Sequence, residues 1–164
     1  PPQGRLRRID GQKDSIILDD SYNSSPVATE AALTTLATIR KSEHSRKIAV
    51  LGDMLELGKY SSKEHARTGE QAAKIADIIV VVGMRAKMIA ESAIEAGMSA
   101  HNVHVFETSH EAAVFLKDFI FQGDIILVKG SQSVRMEHIV LALMEHPEQA
   151  PILLVRQEAI WKEK

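Results

Sequence analysis

The sequence predicts an α/β fold: a Rossmann-like, doubly wound, mostly parallel sheet with helices on both faces. Two observations lead to this prediction. Short apolar runs rich in Ile and Val alternate about five times with amphipathic stretches of helical period. The clearest run, Ile78 to Val82, is apolar throughout, as is typical of a parallel strand buried on both faces. Because βαβ crossovers are right-handed, such a chain forms one open sheet covered on both sides.

The strands follow from the apolar runs and the turn residues between them. Asp10 and Gly11 separate the first two runs and predict a hairpin. Gly52 and Asp53 end the third run. In the tail, the apolar run at residues 152–155 is expected to form an edge strand. The other predicted strands lie at residues 6–9, 16–18, 48–51, 78–82, 103–106 and 124–128.

The starts of the helices are marked by capping residues. Serine and proline at residues 24–26 predict a capped first turn. Ser61 with Glu64, and Thr108 with Glu111, have the spacing of a capping box. The predicted helices cover residues 26–40, 61–76, 85–96, 109–121 and 134–144.

Composition narrows the class of protein. The chain has 164 residues and a formal net charge of -2, which fits one soluble domain over residues 1–164. The absence of cysteine excludes disulfides, thiolate zinc sites and cysteine nucleophiles. Neither the charge balance nor the 4% of aromatic residues suggests a nucleic-acid partner. No apolar run approaches the roughly 18 residues of a membrane span. We therefore expect a cytoplasmic monomer.

The standard nucleotide-binding motifs are absent. No G-x-G-x-x-G follows a predicted strand. Residues 52–59 imitate a P-loop, but five residues separate the glycines where a P-loop has four, and Tyr60 stands where a hydroxyl ligand of magnesium belongs. Either this loop positions Asp53 or Glu56 beside a ligand, or it is a plain connector. The histidines lack the spacing of a metal site, so no metal site is expected.

Three polar loops follow predicted parallel strands, at residues 19–25, 52–58 and 129–133. Open α/β sheets bind ligands at this edge. Because Asp19 and Asp20 alternate in direction, at most one of them faces the crevice. An acid there could accept hydrogen bonds from ribose hydroxyls or face a metal, and a polar turn is equally compatible with the residues.

The loop that begins at Lys129 combines cations, hydroxyls and a glycine at the predicted start of a helix. Free amides and the positive end of a helix dipole favour an anion there, such as a carboxylate or a phosphate. His65 lies near the start of the second predicted helix, where a solvated histidine is expected, with a functional role as the alternative.

Six motifs occur in a fixed order: Gly4-Arg5-Leu6, residues 19–26, residues 51–58, His65 with Gly69, residues 128–133, and Met136 with Glu137. Together they resemble the C-terminal domain of the Mur ligases of bacterial cell-wall synthesis. The resemblance covers nearly the whole chain, to about Leu143. Ser24 and Ser25 replace the usual Ala-Asn before the proline, and Gln132 replaces the usual arginine between the serines.

The resemblance implies a function. It is strongest to the members that add D-alanyl-D-alanine to UDP-MurNAc-tripeptide through an acyl phosphate, with ATP and Mg²⁺ in the full-length enzyme. The chain starts without Met, so we expect a fragment that lacks the UDP-substrate and ATPase domains and is inactive alone. The alternatives are a free-standing module that binds a nucleotide or a small carboxylate, and a Mur or polyglutamate-type ligase domain for another amino acid. The string at residues 51–58 argues against this last alternative.

The resemblance also implies roles for individual residues, none of them catalytic and none a metal ligand. Asn23 and Ser24 lie at the expected boundary between nucleotide and amino substrate. The implied ATP-binding residues are Arg5, Asp20 and Asn23, and the implied substrate-binding residues are Ser24, Asp53, Met54, Glu56, Lys129, Ser131 and Ser133.

Overall fold

The computed structural model describes residues 1–40 and 42–163. Within them, six strands form one sheet: β1 (Arg7–Asp10), β2 (Ile16–Asp20), β3 (Lys47–Gly52), β4 (Ile78–Val82), β5 (Val103–Phe106) and β6 (Ile125–Lys129). Their order across the sheet is β1-β2-β6-β3-β4-β5. β1 pairs antiparallel with β2, as the predicted hairpin requires, and the other neighbouring strands are parallel.

The helices cover both faces of this sheet. Side chains alternate along each strand, so that Val80 joins the apolar cluster on one face and Val81 the cluster on the other. The described helices are α1 (Pro26–Thr38), α2 (Ser61–Ile75), α3 (Lys87–Glu95), α4 (Ser109–Phe119), α5 (Glu137–Leu143), α6 (Ala150–Leu153) and α7 (Ala159–Lys162). α1, α2 and α3 pack on the Val81 face, and α4 and α5 on the Val80 face. The predicted doubly wound fold is confirmed.

Two predicted helix caps are confirmed, and one is wrong. The Ser25 side chain accepts a hydrogen bond from the amide of Ala28, and the Thr108 side chain accepts one from Glu111. Ser61 makes no such cap, because α2 continues from a 3₁₀ turn at Gly58–Tyr60 and the chain is already helical before Ser61.

The end of the chain differs most from prediction. The helix expected over 134–144 begins only at Glu137, because Arg135 takes a left-handed conformation with φ 60° after a 3₁₀ turn at Gln132–Val134. The expected edge strand at 152–155 is wrong: the short helix α6 forms there instead. Pro151 has no amide hydrogen for a strand ladder but suits a first helical turn. None of the described helices has the length and apolarity that crossing a bilayer requires.

Candidate functional site

The polar loops meet at the carboxyl edge of the sheet because the strands before them are in register. Asp20 at the end of β2 stands opposite Lys129 at the end of β6. Lys129 in turn stands opposite Leu51 of β3, which is followed by Gly52 and Asp53. Three cavities open along this edge among the described residues, and they hold nine of the ten predicted binding residues.

The first, which we call the Asp20 cavity, has a volume of about 400 Å³. The Lys129 ammonium donates to Asp20 Oδ2 at 2.8 Å and to the Asn23 carbonyl at 3.0 Å. Asp20 Oδ1 accepts from the amide of Leu6 at 3.0 Å. The lining residues include Gly4, Arg5, Leu6, Asp20, Tyr22, Asn23, Ser24 and Lys129. The structure thus brings together Arg5, Asp20 and Asn23, the three residues predicted to bind ATP.

Asp20 is the acid that faces this cavity, and Asp19 is turned into the protein. Asp19 is fully buried, and its Oδ1 accepts hydrogen bonds from the Ser21 amide at 3.2 Å and the Ser21 hydroxyl at 2.5 Å. Its Oδ2 has no hydrogen-bond partner among the described residues. Burial raises the pKa of Asp19 to about 6, although the hydrogen bonds from Ser21 act to lower it. The prediction that at most one acid of the pair faces the crevice is confirmed.

The second, the Ser131 cavity, has a volume of about 340 Å³ and shares Asn23 and Ser24 with the first. Ser131 joins two loops, since its hydroxyl accepts from the amide of Leu55 at 2.9 Å and its own amide donates to the Asp53 carbonyl at 2.9 Å. The lining residues are Asn23, Ser24, Leu55, Glu56, Ser131, Gln132, Ser133 and Trp161. Four predicted substrate residues, Ser24, Glu56, Ser131 and Ser133, therefore line one cavity.

The third, the Asp53 cavity, has a volume of about 380 Å³ and is lined by Asp53, Gly83, Arg85, Ser133 and His138 among others. Asp53 Oδ1 accepts from the amide of Ala86 at 2.7 Å, and Oδ2 lies 3.9 Å from the Arg85 guanidinium. Gly83 has φ +109°, and a Cβ there would lie 2.5 Å from the Asp53 carboxylate. This carboxylate is thus held on the side of β4 and does not line the Ser131 cavity.

His138 is a half-buried histidine at the Asp53 cavity. Burial, with a smaller contribution from His110, lowers the pKa of His138 to about 4. Its ring stacks on that of His110 at a centroid distance of 4.1 Å. His138 is therefore neutral near pH 7.

Met54 and His65 fix the loop between β3 and α2 through a contact in the protein interior. The Met54 side chain is 1% exposed and lines none of the cavities found in the described residues. Its amide donates to His65 Nε2 at 3.0 Å, while His65 Nδ1 lies 2.7 Å from the Ser61 carbonyl. His65 is fully buried. The expectation of a solvated histidine is wrong, because both ring nitrogens have partners inside the protein.

The loop that begins at Lys129 differs from the predicted start of a helix, and the anion site expected there stays a prediction. α5 starts only at Glu137, and the preceding 3₁₀ turn has no side-chain cap. Lys129 points to Asp20 rather than to Ser131 and Ser133, so this loop serves two cavities. Residues 1–40 and 42–163 contain no group of three or more His, Asp or Glu side chains that could hold a metal.

Leu55 and Trp161 line the Ser131 cavity although neither was predicted as a site residue. Leu55 stands inside the loop at residues 51–58, so its position next to Glu56 was a usable signal. Trp161 comes from α7 in the tail, where no motif marks it.

Known proteins are similar to most of this chain in sequence. The family model described as "Mur ligase, glutamate ligase domain" matches residues 4–132. The chain is similar to UDP-N-acetylmuramoyl-tripeptide–D-alanyl-D-alanine ligases from Escherichia coli (35% identity over 147 residues; 87% of this chain and 30% of that protein) and Bacillus subtilis (31% over 145 residues; 87% and 31%). The chain therefore spans about a third of the length of these relatives.

Solved structures of such ligases are also similar to this chain. A crystal structure of MurF from Acinetobacter baumannii matches with a TM-score of 0.75 and 33% identity, over 88% of this chain and 31% of that one. MurF from Thermotoga maritima in complex with ADP matches with a TM-score of 0.71 and 25% identity, over 91% and 32%. A folylpolyglutamate synthase/dihydrofolate synthase from Yersinia pestis, at 19% identity and a TM-score of 0.58, shares the fold.

Proposed function

The chain belongs to the Mur ligase family, in its glutamate ligase domain, and on that premise we propose that it is the C-terminal domain of an ATP-dependent ligase that adds D-alanyl-D-alanine to UDP-MurNAc-tripeptide. The observation that carries the proposal is the identity of 31–35% over most of this chain to several ligases with that name. Because the chain spans about a third of those proteins, the other domains of the enzyme are part of the proposal.

The Asp20 cavity is suited to the nucleotide. A carboxylate accepts hydrogen bonds at several lone pairs. Asp20 can therefore accept hydrogen bonds from ribose hydroxyls in addition to those from Leu6 and Lys129. Arg5, whose guanidinium lies 4.3 Å from the centre of the Tyr22 ring, supplies a positive charge for phosphate at the same cavity. ATP would supply the phosphoryl group that activates the tripeptide carboxylate.

The Ser131 cavity is suited to the amino substrate. Glu56 can accept hydrogen bonds from an amine, and the hydroxyls of Ser131 and Ser133 can donate to a carboxylate. Asn23 and Ser24 line both cavities, so an amine held in one would lie beside an acyl phosphate formed at the other. Holding the two reactants together in this way is the main catalytic contribution of such a domain. Asp53 and Met54 would act through the loop that carries Glu56.

We expect the chain alone to form no peptide bond, because its sequence contains no P-loop to hold the phosphates of ATP. Mg²⁺ is held by another domain. The full enzyme works in the cytoplasm, since its proposed substrates are nucleotides and nucleotide-linked peptides.

A competition assay tests the proposal. The full-length protein is incubated with UDP-MurNAc-tripeptide, ATP, Mg²⁺ and equal concentrations of D-alanyl-D-alanine, D-glutamate, meso-diaminopimelate and L-glutamate, and the products are identified by mass spectrometry. We expect the D-alanyl-D-alanine adduct and one ADP per product. An adduct with one of the single amino acids instead, or no adduct at all, would contradict the proposal.

A further inference from the structure

The tail of the chain is tied to the loop that separates the two cavities. Arg156, buried near the end of the chain, donates to the Ser21 carbonyl at 2.6 Å and to the Tyr22 carbonyl at 3.1 Å. The same guanidinium pairs with both carboxylate oxygens of Glu137, at 3.0 and 2.7 Å. The tail is therefore anchored immediately before Asn23.

A buried ion network fixes this anchor. Glu137 is 1% exposed, and its Oε1 also forms an ion pair with Arg135 Nε at 2.5 Å. Burial alone would raise the pKa of Glu137, but the hydrogen bonds from Arg156 and Arg135 outweigh it and lower the pKa below its ordinary value. Both arginines have left-handed backbones, with φ 60° and 56°. Such a conformation is unfavourable for a residue other than glycine and persists only where the surroundings determine it.

The ion network also positions Trp161 at the Ser131 cavity. Arg135 Nη1 donates to the Trp161 carbonyl at 3.0 Å, and Arg135 Cζ lies 5.2 Å from the centre of the indole ring. Arg156 Cζ lies 5.9 Å from the same ring. Cations at these distances from an indole attract it, so the two arginines hold the ring as well as the backbone. Trp161 lies beyond residues 4–132, which the family model matches.

Trp161 and Leu55 are the large apolar side chains of a cavity whose other lining residues are polar. The volume of about 340 Å³ is near the lower end for ligand pockets, which range over about 300–1,000 Å³. Such a cavity accommodates one small ligand with short aliphatic side chains against the apolar wall and its charged ends against hydroxyls and carboxylate. Removing the indole would widen this wall of the cavity for a larger ligand side chain.

We propose that Trp161 is a specificity-determining residue, and that the tail supplies it to select a short peptide with small aliphatic side chains as the amino component. This inference rests on the proposed function, and it gives the tail a role in the amino-substrate cavity.

Kinetics of the full-length ligase test it with three variants: Trp161→Ala, Trp161→Phe, and Ile160→Ala as the matched control, since Ile160 is an exposed neighbour on the same short helix. We expect Trp161→Ala to raise the KM for D-alanyl-D-alanine about tenfold, with the KM for ATP changed by less than about twofold. It should also improve the use of D-alanyl-D-leucine relative to D-alanyl-D-alanine. Trp161→Phe should restore most of the selectivity, and Ile160→Ala should leave both constants unchanged.

The single tryptophan provides a second measurement on the chain itself. D-Alanyl-D-alanine should change the fluorescence of Trp161, whereas ADP should not. An unchanged dipeptide preference in Trp161→Ala, or an equal rise in both KM values, would overturn the inference and assign the tail a structural role only. If the unmodified ligase adds another amino component instead, the proposed function is wrong, and the same variants compared on that component then decide the role of Trp161.

Discussion

The ammonium of Lys129 lies 2.8 Å from the carboxylate of Asp20, at the ends of two neighbouring parallel strands. The Lys129 and Asp20 side chains are only 4% and 11% exposed. The pair connects the loop after β6 to the loop after β2 and places a positive and a negative group at one cavity wall. Lys129 thereby belongs with the residues proposed for the nucleotide, although its neighbours Ser131 and Ser133 line the cavity proposed for the amino substrate.

Replacing Lys129 by Met should destabilise the isolated chain by about 3 kcal/mol, because the substitution leaves a largely buried carboxylate without its partner. Urea denaturation at pH 7 measures this loss. Lys63→Met, on the exposed surface of α2, is the control and should change the free energy of unfolding by less than about 0.5 kcal/mol. Equal losses in the two variants would show that the Asp20–Lys129 pair contributes no stability.

Replacing His65 by Phe should cost about 2 kcal/mol, because the Met54 amide then loses its acceptor inside the protein. The free energy of unfolding, again from urea denaturation, is compared with that of His101→Phe, a change at an exposed histidine. The loop at residues 52–58 should also exchange its amide hydrogens faster in His65→Phe. Wild-type stability together with unchanged exchange would mean that His65 does not hold this loop.

Asp19 should make the stability depend on pH between about 4 and 6. Its pKa is about 6 in the folded protein and 3.8 as the ordinary value, so the folded state binds the proton more tightly. Stability from this group is therefore present at low pH and decreases as the pH rises through this window, by about 3 kcal/mol. Asp19→Asn removes the effect. The difference between wild type and Asp19→Asn, measured by urea denaturation at several pH values, should change across the window; parallel curves would disprove the assignment.

The sheet was predictable from the sequence because most of its strands are short apolar runs that alternate with amphipathic helices. The convergence of the polar loops at one edge then followed from the parallel topology. The direction of the Lys129 side chain was not predictable, since it depends on which strand lies next to β6. The tail was missed for a similar reason: its position depends on a contact between Arg156 and Glu137, which no local pattern marks. The left-handed backbone of Arg135 likewise depends on this buried network.

We propose that the two cavities divide the nucleotide from the amino substrate, and the kinetics of Asp20→Asn in the full-length protein test this division most directly. We expect the KM for ATP to rise about tenfold while the KM for D-alanyl-D-alanine stays within about twofold, because Asp20 lines only the first cavity. Asp10→Asn, an exposed change on β1, is the control. A rise in the KM for D-alanyl-D-alanine with an unchanged KM for ATP would contradict the division.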